Sequence, residues 1–230
     1  TRRSSDLGFL MFVLITIAGR QGALTIVTVI FNVAVFAIGF WKAGDTSNVL
    51  EMCSRLVILF AIITLVGLNG IHKKTWAALF TTLIVLVMIM GIFDVVIHHA
   101  EDLDYSTMEY LGSIENPDEI FHAEILISGL GAIMDVAVAI AASLSEIVEK
   151  KPKVTFLELF KSGREIGYDI MGTMINVLLF VFGCGLIPMC LIRMNNDVSL
   201  ITIIKLHIPC ELCRFLVESI GIVLAKIGRA

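Results

Sequence analysis

The hydrophobic positions of this chain fall into long runs, and each run ends at a short group of charged residues or glycines. An α-helix needs about 20 mostly apolar residues to cross a bilayer. The runs therefore predict seven membrane-spanning helices, at residues 7–19, 23–41, 49–68, 75–97, 123–147, 170–192 and 200–224. The last run is interrupted by several charged side chains, so whether it crosses the bilayer is left open.

The composition supports a membrane protein and excludes a water-soluble domain. Of the 230 residues, 57% are hydrophobic and 17% are charged, whereas soluble domains have about 45–50% apolar and about 25% charged residues. We therefore predict an all-α integral membrane protein, with residues 1–230 forming one transmembrane helical domain. The net charge of -4 and the lack of a basic stripe exclude a nucleic-acid partner.

Two predicted loops differ in charge, and the difference predicts the orientation of the chain. Residues 98–122 contain several acidic side chains and no lysine or arginine, whereas residues 149–168 contain five cationic side chains. Short cytoplasmic loops of membrane proteins carry an excess of lysine and arginine. The loop at 149–168 is therefore predicted to be cytoplasmic and the loop at 98–122 external.

The basic loop also carries the signature of a helix start. Thr155 and Glu158 have the spacing of a capping box, in which each side chain accepts a hydrogen bond from the other residue's backbone N–H. Apolar residues then share one face up to Gly163. The pattern predicts a short amphipathic helix in the cytoplasmic loop, ending at Gly163.

Asp135 is the foremost candidate functional residue, because it lies near the middle of the fifth predicted span. A charged side chain there costs about 2.5–3.5 kcal/mol on insertion scales, so it needs a partner, water or a proton. Ser128, Asp135 and Glu146 fall on one stripe of the helix and are predicted to line an interior path. The alternative is a carboxyl that only holds helices together. Small residues of this span, Gly131 among them, are expected to contact other helices.

A polar ridge opens the sixth predicted span. Asp169, Thr173 and Asn176 are spaced i, i+4 and i+7, which places them on one helix face. Together a carboxylate, a hydroxyl and an amide can bind a cation or orient a polar solute. Asp169 has an alternative role as a helix cap, and the sequence favours neither.

Other ionisable groups have simpler explanations. Glu211, Arg214 and Glu218 are spaced for ion pairing within the last helix. Cys210 and Cys213 have the spacing of a zinc or redox motif, but no second ligand pair accompanies them. The sequence therefore indicates no metal site and no cofactor.

Two stretches resemble a known family. Residues 127–143 and residues 158–176 are similar to the YibE/F-like bacterial membrane proteins. The residues that match its pattern are Asp135, Gly163, Asp169, Gly172, Thr173 and Asn176. The resemblance implies a multi-pass protein of the bacterial cytoplasmic membrane, and it implies no particular activity.

These features favour a membrane transporter or a permease component of unknown substrate, with Asp135 and the ridge on the sixth span as its binding groups. An intramembrane aspartyl enzyme that pairs Asp135 with Asp169 is the main alternative, and a sensor or assembly subunit is another. The expected partners are the lipid bilayer, a second copy or a partner membrane subunit, and a cytoplasmic ATPase at residues 149–168.

Overall fold

The computed structural model describes residues 2–42, 49–99, 117–206 and 208–227. These residues form seven helices, and no strand occurs among them. The helices are α1 (Arg2–Lys42), α2 (Val49–Asn69), α3 (Lys73–His99), α4 (Pro117–Lys150), α5 (Phe156–Asn195), α6 (Leu200–Leu206) and α7 (Ile208–Ile227). The predicted all-α class is confirmed.

Five of these helices are long and apolar enough to cross a membrane. They are Gly8–Trp41, Val49–Asn69, Lys73–His98, Pro117–Lys150 and Phe156–Asn195. α7 has 20 residues but is not one of them. Its sequence carries four charged residues, Glu211, Arg214, Glu218 and Lys226, and four charges in so short a helix lower its hydropathy.

The first two predicted spans form one helical element, α1, with a break at Gly19. Gly19 has φ 55° and ψ −133°, and its neighbours are helical. Only glycine adopts this backbone conformation readily, because a Cβ would clash with the backbone. The kink lies at the residue where the first predicted span ends, but the two predicted spans form a single apolar helical element, Gly8–Trp41.

The predicted amphipathic loop helix does not end at Gly163. The capping box is present: Glu158 N donates to Thr155 Oγ1 at 3.4 Å, and Thr155 N donates to Glu158 Oε2 at 3.2 Å. The helix then continues through the sixth predicted span to Asn195, so only residues 151–155 remain non-helical. Gly163 is buried, and a Cβ there would lie 3.3 Å from the Leu144 side chain. It serves helix packing and not helix termination.

The other predicted boundaries differ less. The last predicted span is divided into α6 and α7, which are separated by residue 207, outside the described residues. Much of the predicted external loop also lies outside them, because α3 ends at His99 and α4 begins at Pro117.

α4 lies at the centre of the bundle and packs against α2, α3, α5 and α7. The core around it contains fully buried Phe93, Ile133 and Ile140. In a bilayer such contacts stabilise through close packing, because lipid tails are as apolar as the side chains. A polar contact adds to this between α1 and α2, where Asn32 Nδ2 donates to Thr64 Oγ1 at 2.8 Å.

Contacts along α4 fix the direction of its neighbours. Glu124 pairs with Arg214, and Ile133 meets Gly221, so α7 runs parallel to α4. Gly167 meets Lys226 and Phe182 meets Phe215, so α5 runs antiparallel to both. The bundle therefore has a basic end, which we define by Lys73, Lys74, residues 150–153 and Lys226, and an opposite end, where α3 ends and α4 begins.

Candidate functional site

Asp135 lies on the exposed surface of the described chain and not in the bundle interior. The predicted stripe exists, because Ser128, Asp135 and Glu146 are all exposed along one face of α4. The prediction that Asp135 faces the bundle interior does not hold for the described chain, although Ser128 of the same stripe lines a cavity between α4, α5 and α7. The opposite face carries Ile133, Ile140 and their neighbours, and it packs against the other helices because it is broader and more apolar.

The two other residues of the stripe have separate surroundings. Glu146 accepts a hydrogen bond from Lys150 Nζ at 2.6 Å near the basic end, in an exposed i,i+4 pair. The Ser128 hydroxyl donates to the Glu124 carbonyl at 2.7 Å, one helical turn earlier.

The ridge on α5 is also exposed. Thr173 Oγ1 donates to the Ile170 carbonyl at 2.8 Å, and Asn176 Nδ2 donates to the Gly172 carbonyl at 2.9 Å, so both satisfy their hydrogen bonds within their own helix. Asp169 is exposed on the same helix. In the described part of the chain, no hydrogen bond joins it to Asp135 or joins Asp135 to the ridge.

The ridge and Asp135 nevertheless lie at a similar depth. Leu144 on α4 meets Gly163 on α5, and the two helices are antiparallel. Asp135 lies nine residues before Leu144 on α4, and Gly172 lies nine residues after Gly163 on α5. Both are therefore about equally far from the contact, because each helix rises by about 1.5 Å per residue. The structure thus brings these residues to one level without bringing them into contact.

A cavity of about 410 Å³ lies between α4, α5 and α7, in the half of the bundle away from the basic end. Its lining residues are Ser128 on α4, Leu178, Val181, Phe182, Gly185, Leu186 and Met189 on α5, and Glu211, Arg214, Phe215 and Glu218 on α7. Of the predicted site residues, Ser128 lines this cavity.

The charges at the cavity are unequally paired. Arg214 donates from Nη2 to Glu211 Oε2, and its Nη1 lies 3.8 Å from Glu124 Oε2. Glu218 lies one turn further along α7 and beside Ser128. Three carboxylates therefore surround a single guanidinium, and the guanidinium faces two of them.

Glu218 is the buried member of this group. Its residue surface is 7% exposed, and its Oε1 atom has no hydrogen-bond partner among the described residues. Buried polar atoms are nearly always hydrogen-bonded, and those that are not call for an explanation. One oxygen of Glu218 therefore lacks a donor, and the same side chain lines the cavity.

The α5 wall of the cavity contains a proline and has an apolar surface. Pro188 lies inside α5 and has no N–H, so the Cys184 carbonyl loses its helical donor. Gly185, which lines the cavity, has open space where a Cβ would be. Near this segment the rings of Phe182 and Phe215 lie with their centroids 5.9 Å apart. One helix thus supplies both an apolar wall and a proline that removes one backbone hydrogen bond.

Sequence reasoning missed Glu218 because it assigned the charges of α7 to ion pairing within that helix. The Glu211–Arg214 pair is confirmed, but Glu218 is not part of it. A usable signal was present: an ionisable residue in an apolar helix is a functional candidate by default. That rule was applied to Asp135 and applies equally to Glu218.

Over the described ranges, no group of three or more histidine, cysteine or acidic residues has the geometry to hold a metal ion. Cys210 is buried and Cys213 is half-buried, and neither forms a disulfide.

The chain was compared with known proteins. The family described as YibE/F-like protein matches residues 7–227, which is nearly the whole chain. No curated protein and no solved structure matches it.

Proposed function

This chain belongs to the YibE/F-like family, and we propose that it transports a polar solute across the membrane, or is the membrane component of a permease. The solute would bind in the cavity between α4, α5 and α7. The observation that carries the proposal is Glu218, which is buried at this cavity with an unpartnered oxygen.

Burial of Glu218 supports a ligand-binding role more than a packing role. A buried carboxyl that only joins helices would be paired, because an unsatisfied polar group in an apolar medium is costly. The nearest guanidinium, on Arg214, already faces Glu211 and Glu124. Glu218 is thus held beside a cation that two other carboxylates engage.

The packing around the cavity supports an alternating-access mechanism. One turn beyond Glu218, toward the basic end, the buried side chains of Ile133 and Ile222 fill the space between helices. A cavity that is closed on one side by packed side chains is what a transporter presents in one of its two states. Movement of α5 near Pro188 would alter the cavity, because the helix lacks a hydrogen bond there.

The charge distribution gives the proposed orientation in the membrane. Lys73, Lys150 and Lys153 lie at the basic end, and cytoplasmic loops carry the excess of cations. We therefore place the basic end, with residues 149–168, in the cytoplasm of a bacterium, and residues 98–122 outside. The cavity then lies in the external half of the bundle.

The experiment is a flux measurement in proteoliposomes. Liposomes with purified protein are given gradients of labelled Na⁺, K⁺, amino acids, organic cations and organic anions. We expect at least one solute to move faster than in protein-free liposomes. The Glu218→Gln variant should lose most of this flux, because the amide keeps the size of the carboxyl but not its charge.

The matched control is Glu165→Gln, because Glu165 is an exposed glutamate on α5 away from the cavity. This variant should retain its flux. The proposal fails if no solute in the panel moves, and the role of the cavity fails if Glu218→Gln transports as well as the unaltered protein.

A further inference from the structure

We propose that the cavity between α4, α5 and α7 binds an amphipathic organic cation, whose charged group lies against Glu218 and whose apolar part contacts the α5 wall. The inference rests on the proposed function for the location of the site, and it adds the chemical class of the ligand.

The sign of the ligand follows from the charges. Glu124, Glu211 and Glu218 lie near a single guanidinium, that of Arg214, so the group carries an excess of negative charge. An anion would meet this excess, whereas a cation near Glu218 would neutralise it. Opposite charges in contact attract more strongly at a protein surface than in bulk water, because the effective dielectric is lower. The Ser128 hydroxyl, beside Glu218, adds a further polar contact.

The size of the cavity favours an organic ligand over a bare ion. The cavity has a volume of about 410 Å³, and pockets for small organic molecules measure about 300–1,000 Å³. A bound Ca²⁺ takes 6–8 oxygen ligands at about 2.3–2.6 Å. Among the residues that the structure describes, no cluster of acidic, histidine or cysteine side chains has that density.

The wall opposite Glu218 favours a ligand with an apolar part. It consists of aliphatic, aromatic and methionine side chains, including Leu178, Phe182 and Met189, and Phe215 adds a second ring from α7. Aromatic faces attract cations, and they do so more strongly when the site is desolvated. Methionine side chains adapt to ligands of different shape. A fully hydrophilic cation would leave this wall uncovered.

The test uses three probes on the full chain in lipid nanodiscs, by isothermal titration calorimetry. We expect benzyltrimethylammonium to bind, benzenesulfonate not to bind, and Na⁺ not to compete at equal ionic strength. Glu218→Gln should weaken benzyltrimethylammonium binding by at least about tenfold. Phe182→Leu should weaken it by about 2–5-fold, because only the aromatic contribution is lost.

The variants require a check of folding. Glu218→Gln must elute as the same single species as the unaltered protein, and Glu165→Gln must bind the cation normally. Where Glu218→Gln does not fold, Phe182→Leu and the two other probes still decide the question.

Three results would overturn the inference: equal binding of benzenesulfonate, binding of Na⁺ with no binding of the organic cation, or unchanged affinity in Glu218→Gln. Binding and flux measurements together distinguish failure of this inference from failure of the proposed function. Binding without any flux leaves the inference standing and removes the transport proposal. Flux of another solute without cation binding removes the inference alone.

Discussion

Two carboxyl groups in apolar helices have opposite surroundings in this protein. Asp135 on α4 is exposed, whereas Glu218 on α7 is buried at the cavity. The two look alike in the sequence, because each is an acidic residue in an apolar helix. Burial of one and exposure of the other follow from the faces that α4 and α7 turn toward the bundle.

Replacing Glu218 with methionine should stabilise the fold while removing the binding group. A buried polar atom without a partner destabilises the folded state by about 1–3 kcal/mol, and methionine fills a similar volume without that penalty. We expect Glu218→Met to unfold at a higher temperature than the unaltered protein, in the same detergent.

The exposed Glu165→Met variant serves as the control for Glu218→Met and should unfold at an unchanged temperature. A lower unfolding temperature for Glu218→Met would show instead that the carboxyl holds helices together. Glu218 would then have a packing role.

At the level of helices, α5 shows how glycines act in this bundle. The sequence predicts that Gly163 ends a short helix, but both Gly163 and Gly167 lie buried inside α5. Gly131 shows the converse: it was expected to contact another helix, yet it is exposed and has open space around it. Small residues allow helices to approach closely, but the sequence does not say which of them do.

Gly167→Leu should destabilise the packing of α5 against α7. A Cβ at this position would lie 2.6 Å from Cγ of Lys226, whose side chain is buried over the Tyr168 ring. Overpacking of this kind costs about 1–3 kcal/mol. The measurement is the unfolding temperature of the purified variant, which should fall.

Gly91→Leu is the matched control, because Gly91 is an exposed helical glycine. A side chain added there would meet no other atom within 4 Å of its Cβ. It should unfold near the temperature of the unaltered protein. Equal tolerance of leucine at both positions would contradict close packing of α5 on α7.

For the whole molecule, the ends of the bundle are distinguished by charge. Lysines lie at the start of α3 and at the ends of α4 and α7. The first turn of α4, at the opposite end of the bundle, contains Asp118 and Glu119. Successive long helices run in opposite directions through the bundle, so the orientation of one connecting loop fixes the orientation of the others. A single labelling experiment can therefore test it.

We expect residues 98–122 to be reachable from outside the cell and residues 151–155 not to be. In a variant without the five native cysteines, Ser106→Cys and Lys153→Cys are introduced singly and treated with an impermeant thiol reagent on intact cells. Ser106→Cys should react, although Ser106 lies outside the described residues, and Lys153→Cys should react only after lysis. The reverse pattern would invert the proposed topology.

The sequence by itself determined the class of this protein and most of its helices. Apolar runs, the break at Gly19 and the capping box at Thr155 are local features, which depend on hydropathy and backbone geometry and not on distant contacts. The predicted end of a helix at Gly163 was wrong, because this glycine lies inside a continuous helix and allows it to pack closely against Leu144.

Only the tertiary structure decided which polar groups meet. The stripe of Ser128, Asp135 and Glu146 can be read from helical periodicity, but periodicity does not say whether a stripe faces lipid or protein. That choice depends on the packing of α4 against four other helices. The same packing places Ser128 beside Glu218, which is 90 residues away in the sequence, and leaves an oxygen of Glu218 unpartnered at a cavity. Such a pairing between distant helices has no local signature in one sequence.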